Sequence, residues 1–235
     1  MKERKMRGKI YFILIFGISL LRSDDYALVI GINNGYLVGA KRDAIAMSSL
    51  LKQRGVEQVT TLYNEAATKE NILGHLKDMV RKAGSGDRVY LFFSGHGTSA
   101  FDPSIQNNHA LKVLLRDTGG LIPWGASTSD SAEDLIIAKR DLSPLFKILE
   151  NKKVKSVIMF DACFSGSAYK DITANRLSNH SLFYSSISRE ADYPYKHIVY
   201  FSASTRSDYA AESRDKKRGY FSIDISRCLK QYNTL

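Results

Sequence analysis

Two short motifs, each placed directly after an apolar run, contain the side chains most suited to covalent chemistry. His96 stands between glycines in SGHG, which follows RVYLFF, and Cys163 stands in DACFSG, which follows VKSVIMF. The glycines leave the imidazole projecting, and a cysteine on the turn after a buried strand can present its sulfur to solvent. If the two strands are neighbours, His96 can accept the thiol proton or stabilise the thiolate, which gives a nucleophile for carbonyl carbon. The N–H groups of Gly97 and Cys163 could then donate to the oxyanion, so the motifs indicate acyl-transfer chemistry.

The remaining cysteine and histidines have no comparable setting. Cys228 lies on a C-terminal segment of helical appearance, and because free cysteines are among the most buried residues it is predicted to pack rather than react. A single histidine beside glycine is usually a loop residue, so the joint occurrence of the two motifs at consecutive strand ends is what favours catalysis. The other histidines are interpreted as ordinary surface or core residues: His75, His109, His180 and His197.

The two motifs can meet only if the runs before them lie side by side in one sheet. Five apolar runs rich in β-branched residues predict buried strands, and segments with helical spacing of apolar residues lie between them. This alternation predicts an α/β fold with a mostly parallel sheet, helices on both faces and ligands at the carboxyl ends of the strands. Thr68 is a predicted N-cap, and the polar stretches 99–134 and 171–196 are predicted loops, the first with a short hairpin. The predicted strands are Tyr26–Ile32, Val56–Tyr63, Arg88–Phe93, Val154–Phe160 and His197–Ser202, and the helices are Ala40–Gln53, Thr68–Lys82 and Asp141–Asn151.

Composition and charge exclude several classes of protein. With 44% hydrophobic and 25% charged residues among 235, the chain is globular rather than collagen-like, coiled-coil or disordered. The net charge of +10 is uneven, because residues 1–22 hold six basic groups and one acid, and the mildly basic remainder does not favour nucleic-acid binding. Two cysteines are too few for a disulfide scaffold, and the absence of CxxC and HExxH motifs leads us to expect no metal or other cofactor. The six cations are Lys2, Arg4, Lys5, Arg7, Lys9 and Arg22.

The first 23 residues have the pattern of a targeting segment. The basic stretch 1–9 precedes Ile10–Leu21, an uncharged apolar run of the length of a signal-peptide core and too short for a comfortable membrane span. No Ala-x-Ala cleavage site precedes the next segment, so retention as an anchor is the alternative. We therefore expect residues 1–23 to be a signal peptide or N-terminal membrane anchor. Residues 24–235 would form a domain that is exported to the periplasm or the exterior, or held at the membrane by that segment alone.

An ordered set of sequence blocks resembles the caspase-like cysteine peptidases, and within them the metacaspase and bacterial caspase-homologue branch. The blocks are YALVIGIN, GAKRDAIAMSSLL, TLYNEAATKENI, YLFFSGHG, IMFDACFSG, FSAST and GYFS, and they extend from Tyr26 to the C-terminus. The resemblance implies a three-layer sandwich with a mostly parallel central sheet. It also implies that His96 is the general base or acid, that Cys163 is the nucleophile, and that the amides of Gly97 and Cys163 hold the oxyanion.

The resemblance also bears on which peptide bond is cut. True caspases hold a substrate aspartate with arginines, whereas the metacaspase branch holds Arg or Lys with acids. Asp161, two residues before the nucleophile, matches such an acid, as do Asp43 after the first strand and Asp208 in FSASTRSDYAAE. Converging carboxylates repel one another, and a bound cation relieves that repulsion. We therefore expect cleavage of proteins or peptides after Arg or Lys, although aspartates at strand-to-helix junctions also commonly cap helices or form turns.

Three alternatives stay open at this stage. Lys41 and Arg42 flank Asp43 and could neutralise it locally. Calcium dependence is possible in the metacaspase branch, but the chain has Leu121–Gly125 (LIPWG) where relatives often have a proline followed by an acid, so no clear calcium motif is present. A catalytically silent caspase-like interaction module is the alternative function, and the presence of His96, Gly97 and Cys163 together favours the enzyme. The sequence leaves the oligomeric state unknown.

Overall fold

The computed structural model describes residues 23–116, 118–128, 132–163, 195–204, 209–213, 215 and 217–231. The predictions for the N-terminal segment, for Asp208 and for most of the stretch 171–196 lie outside the described residues. No helix among the residues described has the length and apolar character needed to cross a membrane.

The central element is a five-stranded parallel sheet. Its strands are β1 Asp25–Gly31, β2 Gln58–Tyr63, β3 Arg88–Ser94, β7 Lys155–Asp161 and β8 Ile198–Ser202, and they lie in the order β2-β1-β3-β7-β8. These strands match the five predicted apolar runs, with ends that differ by no more than two residues, so the predicted α/β class is confirmed. The helices are α1 Ala40–Gln53, α2 Lys69–Lys82, α3 His109–Leu114, α4 Ser143–Asn151 and α5 Tyr220–Gln231.

Side chains alternate across the sheet and divide the core into two layers. In β1, Leu28 and Ile30 pack in a cluster with residues of α2 and α4, whereas Ala27 and Val29 pack with residues of α1 and α5. All seven residues of β1 are buried, which is why the residues after Asp25 form a continuous apolar run rather than an alternating one. Helices therefore cover both faces, and the fold is the expected three-layer sandwich.

The stretch 99–134 contains more regular structure than the predicted loops with a short hairpin, because it also includes α3 and contributes one strand to a three-stranded sheet. The prediction is wrong on this point. A three-stranded antiparallel sheet forms from β4 Gly97–Ser99, β5 Gly119–Leu121 and β6 Ile136–Ile137. Its strands are too short to give a visible period in the sequence. The region closes over a small core of its own, which consists of Ile105, Leu111, Leu115, Ala126, Leu135 and Ile137.

Helix ends follow local side-chain chemistry. Thr68 accepts the N–H of Asn71 at 3.3 Å, which confirms it as the N-cap of α2. The helix predicted to begin at Asp141 begins instead at Ser143, after a π-helical turn over Ala138–Leu142. Asp141 lies in that turn, where its side chain accepts the N–H of Ile137 at 2.8 Å. The short strands β9 Glu212–Ser213 and β10 Arg218–Gly219 then form an antiparallel hairpin before α5.

Candidate active site

The two motifs lie next to each other at one edge of the sheet. β3 and β7 are adjacent and parallel, Ser94 lies opposite Asp161, and the N–H of Gly95 donates to the carbonyl oxygen of Asp161 at 3.1 Å. His96 and Cys163 each follow their strand by two residues, so the register brings both to the same edge. Both residues are half-buried rather than enclosed in the core.

A backbone carbonyl holds the imidazole of His96. Its Nε2 lies 2.9 Å from the carbonyl oxygen of Asn34, in the loop after β1. Because a carbonyl oxygen can only accept, Nε2 carries the proton in this contact and Nδ1 of the neutral ring keeps its lone pair. The ring is therefore set up to take a proton at Nδ1.

Two asparagine side chains fix the loop that carries Asn34. The N–H of Asn33 donates to Oδ1 of Asn64 at 3.0 Å, and Oδ1 of Asn33 accepts the N–H of Lys41 in the first turn of α1 at 2.8 Å. Asn34 and Leu37 exchange two backbone hydrogen bonds of 3.1 and 3.2 Å. The sequence does not point to Asn34, because the contact with His96 uses an oxygen that every residue has.

The N–H of Gly97 is directed away from its neighbouring strand. The N–H of Ile122 donates to the carbonyl oxygen of His96 at 3.0 Å, so this pair is a hydrogen-bonded position of the ladder between β4 and β5. Gly97 and Leu121 form the next pair, and in an antiparallel ladder the N–H groups of that pair point outward. A β-carbon added at Gly97 would lie only 2.2 Å from the carbonyl oxygen of Cys163, which places the two backbones in contact. The backbone of Gly97 therefore lies against the turn that carries Cys163, with its N–H free of the ladder between β4 and β5.

Two of the three acids predicted to bind a basic substrate side chain, Asp43 and Asp161, lie close together, and Asp161 lies near the Cys163 thiol. Asp43 is 1% exposed and Asp161 is 6% exposed, and the Oγ of Ser94 lies 3.4 Å from Asp43 Oδ2. Burial raises the pKa of Asp161 to about 6, with repulsion from Asp43 and Glu212 adding to the rise and hydrogen bonds from Ser222 opposing it. Burial also raises the pKa of Asp43. The two carboxylates are therefore costly to ionise together and would be stabilised by a cation.

The third acid of this group is Glu212, which is not one of the three acids predicted from the sequence. Asp208 lies outside the described residues, whereas Glu212 raises the pKa values of both Asp43 and Asp161 by charge repulsion. Its Oε1 accepts the N–H of Gly39 at 2.8 Å. Glu212 and Asp208 both belong to the block FSASTRSDYAAE, so the sequence pointed to the correct block but not to Glu212 within it. We call Asp43, Asp161 and Glu212 the acidic cluster.

The cation that neutralises Asp43 comes from a distant part of the sequence. Lys41 Nζ lies over the ring of Tyr63, 6.0 Å from its centroid, and Arg42 is exposed. Arg218 pairs with Asp43 instead, its Nε donating to Oδ1 at 2.7 Å. The suggestion that Asp43 is neutralised by its chain neighbours is wrong, because residues adjacent to it on α1 point away from its buried face.

Comparison with known proteins identifies the chain. A family model described as a caspase domain matches residues 24–235. The chain belongs to the caspase domain family. This family consists of cysteine peptidases, which agrees with the class predicted from the two motifs. A search of curated protein sequences found no match to the chain.

Solved structures share the fold of this caspase domain. A protein from Geobacter sulfurreducens is 21% identical, with a TM-score of 0.57 over 88% of this chain and 82% of that protein. Caspase-1 from Spodoptera frugiperda is 13% identical, with a TM-score of 0.52 over 90% of this chain and 71% of that one. At these identities the similarity establishes the caspase-like sandwich, which confirms the predicted fold.

Within the described ranges, no group of three or more His, Cys, Asp or Glu side chains is arranged to hold a metal ion. Asp43, one acid of the cluster, is paired with a cation of the protein itself, Arg218.

The surroundings of Cys163 disfavour its thiolate form. Partial burial raises its pKa, and the charges of Asp102 and Asp161 add to the rise, while a hydrogen bond from the N–H of Ala210 opposes it. The thiol is therefore protonated at neutral pH, and attack on a carbonyl requires a base such as His96.

The second cysteine differs from its prediction. Cys228 is exposed, so its interpretation as a packing residue is wrong. α5 packs on the sheet through Ile225 and Leu229, and this leaves Cys228 on the outer surface of the helix. Neither cysteine forms a disulfide.

Because Cys228 is exposed and Cys163 is partly buried, we can predict the order in which iodoacetamide modifies the two thiols. At pH 7, Cys228 is expected to react at least several times faster than Cys163, and the rate at Cys163 is expected to rise steadily with pH because only the thiolate reacts. Peptide mapping by mass spectrometry after timed alkylation measures both rates in one sample. Faster modification of Cys163 at pH 7 would contradict the prediction and indicate a preformed thiolate.

Proposed function

We propose that this protein is a cysteine endopeptidase that hydrolyses peptide bonds after Arg or Lys through a covalent acyl-enzyme. The observation that carries the proposal is the alignment of β3 and β7, which brings His96 and Cys163 to one edge of the sheet with His96 held by the Asn34 carbonyl. Membership of a cysteine peptidase family supports the same chemistry.

The proposed mechanism uses groups of this chain alone. His96 Nδ1 takes the proton of the Cys163 thiol as Sγ attacks the carbonyl carbon of the substrate. The oxyanion that forms accepts hydrogen bonds from the N–H groups of Gly97 and Cys163. When the tetrahedral intermediate collapses, the C–N bond breaks and His96 donates its proton to the departing amine. Water then attacks the thioester with His96 as base, which releases the acid product and restores the thiol.

The acidic cluster supports the preference for basic substrates. Three carboxylates lie together behind the nucleophile, and burial and mutual repulsion disfavour ionisation of Asp43 and Asp161. A substrate guanidinium or ammonium relieves that repulsion, whereas a substrate carboxylate would add to it. The partners proposed for this protein are accordingly proteins or peptides with accessible Arg or Lys.

The N-terminal sequence supports a site of action outside the cytoplasm. We propose that residues 1–23 direct export, and that they are either removed or kept as an anchor. The basis is the cationic stretch followed by an apolar run of signal-peptide length.

A panel of fluorogenic peptides that differ only in the residue before the scissile bond tests the proposed function. We expect Arg- and Lys-ended peptides to be hydrolysed with kcat/KM at least about 100-fold higher than Asp-ended ones, because leaving a buried charge unpaired or opposed by like charge is strongly unfavourable. Asp161→Asn, which keeps the size of the side chain, is expected to reduce this preference, while Cys163 is still alkylated at a rate no lower than in the wild type because the charge of Asp161 raises the pKa of that thiol.

The matched control for the panel is Cys163→Ala, which is expected to hydrolyse none of the peptides. Hydrolysis that survives this substitution, or a preference for Asp, contradicts the proposal. Absence of hydrolysis by the wild-type protein on every peptide would favour a caspase-like interaction module instead.

A further inference from the structure

A guanidinium of the protein itself already occupies the acidic cluster. Arg218 Nε donates to Asp43 Oδ1 at 2.7 Å, and the N–H of the next residue, Gly219, donates to Asp43 Oδ2 at 2.8 Å. Asp43 is 1% exposed, so both of its oxygens are committed within the protein. A substrate cation that enters the cluster therefore meets an acid that is already paired.

The hairpin that carries Arg218 is seated directly on the cluster. Glu212, in β9, is paired with Gly219 in β10, so one strand supplies an acid of the cluster and the other supplies its cation. A β-carbon added at Gly219 would lie 2.0 Å from Asp161 Oδ2, which leaves room for hydrogen alone at that position. The hairpin consequently holds Arg218 against Asp43 and the adjoining Gly219 against Asp161, which lies two residues before Cys163 in the chain.

The pairing of Arg218 is incomplete. Its Nη2 is buried and has no hydrogen-bond partner among the described residues, although a guanidinium has five N–H donors. The side chain is 23% exposed, so it has a route to solvent. A buried donor without a partner costs free energy, and this cost makes Arg218 easier to displace than a fully paired arginine.

We infer that Arg218 is a specificity-determining residue that holds Asp43 in cis, so that the basic side chain of a substrate must compete with it for the acidic cluster. The inference rests on the proposed function for the identity of the substrate, but the competition itself depends only on the cluster and on Arg218. Its consequence is that the wild-type protein binds Arg-ended peptides more weakly than its three carboxylates would allow.

Removal of the competing side chain tests the inference. Arg218→Ala is expected to lower KM for an Arg-ended peptide about fivefold to tenfold, with kcat within twofold of wild type, because a partly exposed ion pair of this kind has a modest strength. KM for an otherwise identical norleucine-ended peptide is expected to stay unchanged, so the preference for arginine increases. Arg218→Gln, which keeps the size of the side chain and one N–H donor, is expected to act in the same direction and covers the case in which the alanine variant does not fold.

The matched control is a neighbouring cation of the same hairpin. Lys217 is exposed and has a backbone φ of +47°, which asparagine tolerates, so Lys217→Asn removes the same charge without touching Asp43. This variant is expected to leave both KM values at their wild-type level. An equal fall in KM for Lys217→Asn and Arg218→Ala would assign the effect to net charge and overturn the inference.

Binding of benzamidine, a small amidinium ion, separates failure of the inference from failure of the proposed function. Calorimetry is expected to find benzamidine bound about fivefold to tenfold more tightly by Arg218→Ala than by wild type, and more weakly by Asp43→Asn, even if no peptide is hydrolysed. Unchanged or weaker binding by both Arg218 variants would overturn the inference, because Arg218 would then support the cluster rather than compete for it.

Discussion

Replacement of His96 by alanine is expected to lower kcat/KM for an Arg-ended peptide by about 10²–10⁴-fold, the usual contribution of a positioned general base. The size of the effect follows from the protonated state of the thiol, since burial raises the pKa of Cys163 and the resting protein holds few thiolates at neutral pH. His96 is the side chain that we propose takes that proton, because the Asn34 carbonyl, 2.9 Å from Nε2, leaves Nδ1 as the acceptor.

Two further measurements separate loss of the base from loss of the fold. In His96→Ala, alkylation of Cys163 by iodoacetamide at pH 10 is expected to match the wild type, because hydroxide rather than histidine then removes the proton. His75, an exposed histidine on α2, provides the control, and His75→Ala is expected to retain full activity. Activity of His96→Ala within tenfold of wild type would contradict the assignment of the base.

The sheet could be predicted from the sequence because its strands are buried on both faces. In a strand such as β3 the buried residues Val89–Phe93 must be apolar, and the helices between strands must be apolar on one face. The small antiparallel sheet could not be predicted in the same way. Its strand β6 has two residues, and a two-residue strand has no period to detect.

The candidate site also contains some residues that the sequence predicts and others that it does not. His96, Cys163 and Asp161 could be placed together because each follows or ends a strand, and neighbouring parallel strands end at the same edge. Asn34 contributes a backbone oxygen, which leaves no mark in the sequence. Arg218 lies 175 residues after its partner Asp43, on a two-residue strand, so their pairing depends on tertiary packing alone.

Gly97→Ala is expected to lower both the free energy of unfolding and the kcat of the protein. The added β-carbon would lie 2.2 Å from the carbonyl oxygen of Cys163 and 3.3 Å from the β-carbon of Ala162. The first neighbour is backbone, which cannot rotate away, so β4 and the turn after β7 must separate. Overpacking of this kind costs about 1–3 kcal/mol of the free energy of unfolding. The shift would also move the Gly97 N–H away from the position that we propose for the oxyanion, and loss of such a donor lowers kcat by about 10²–10³-fold.

The control for Gly97→Ala is a glycine with free space around it. Gly74, on the exposed side of α2, has nothing within 4 Å of an added β-carbon, and Gly74→Ala is expected to stabilise the protein by about 0.5–1 kcal/mol through helix propensity. Urea denaturation gives both free energies of unfolding, and peptide hydrolysis below the unfolding transition gives kcat. If Gly97→Ala kept wild-type stability and activity, the backbones of β4 and the Cys163 turn could not be in contact. The Gly97 amide would then be too far from the thiol to hold an oxyanion formed there.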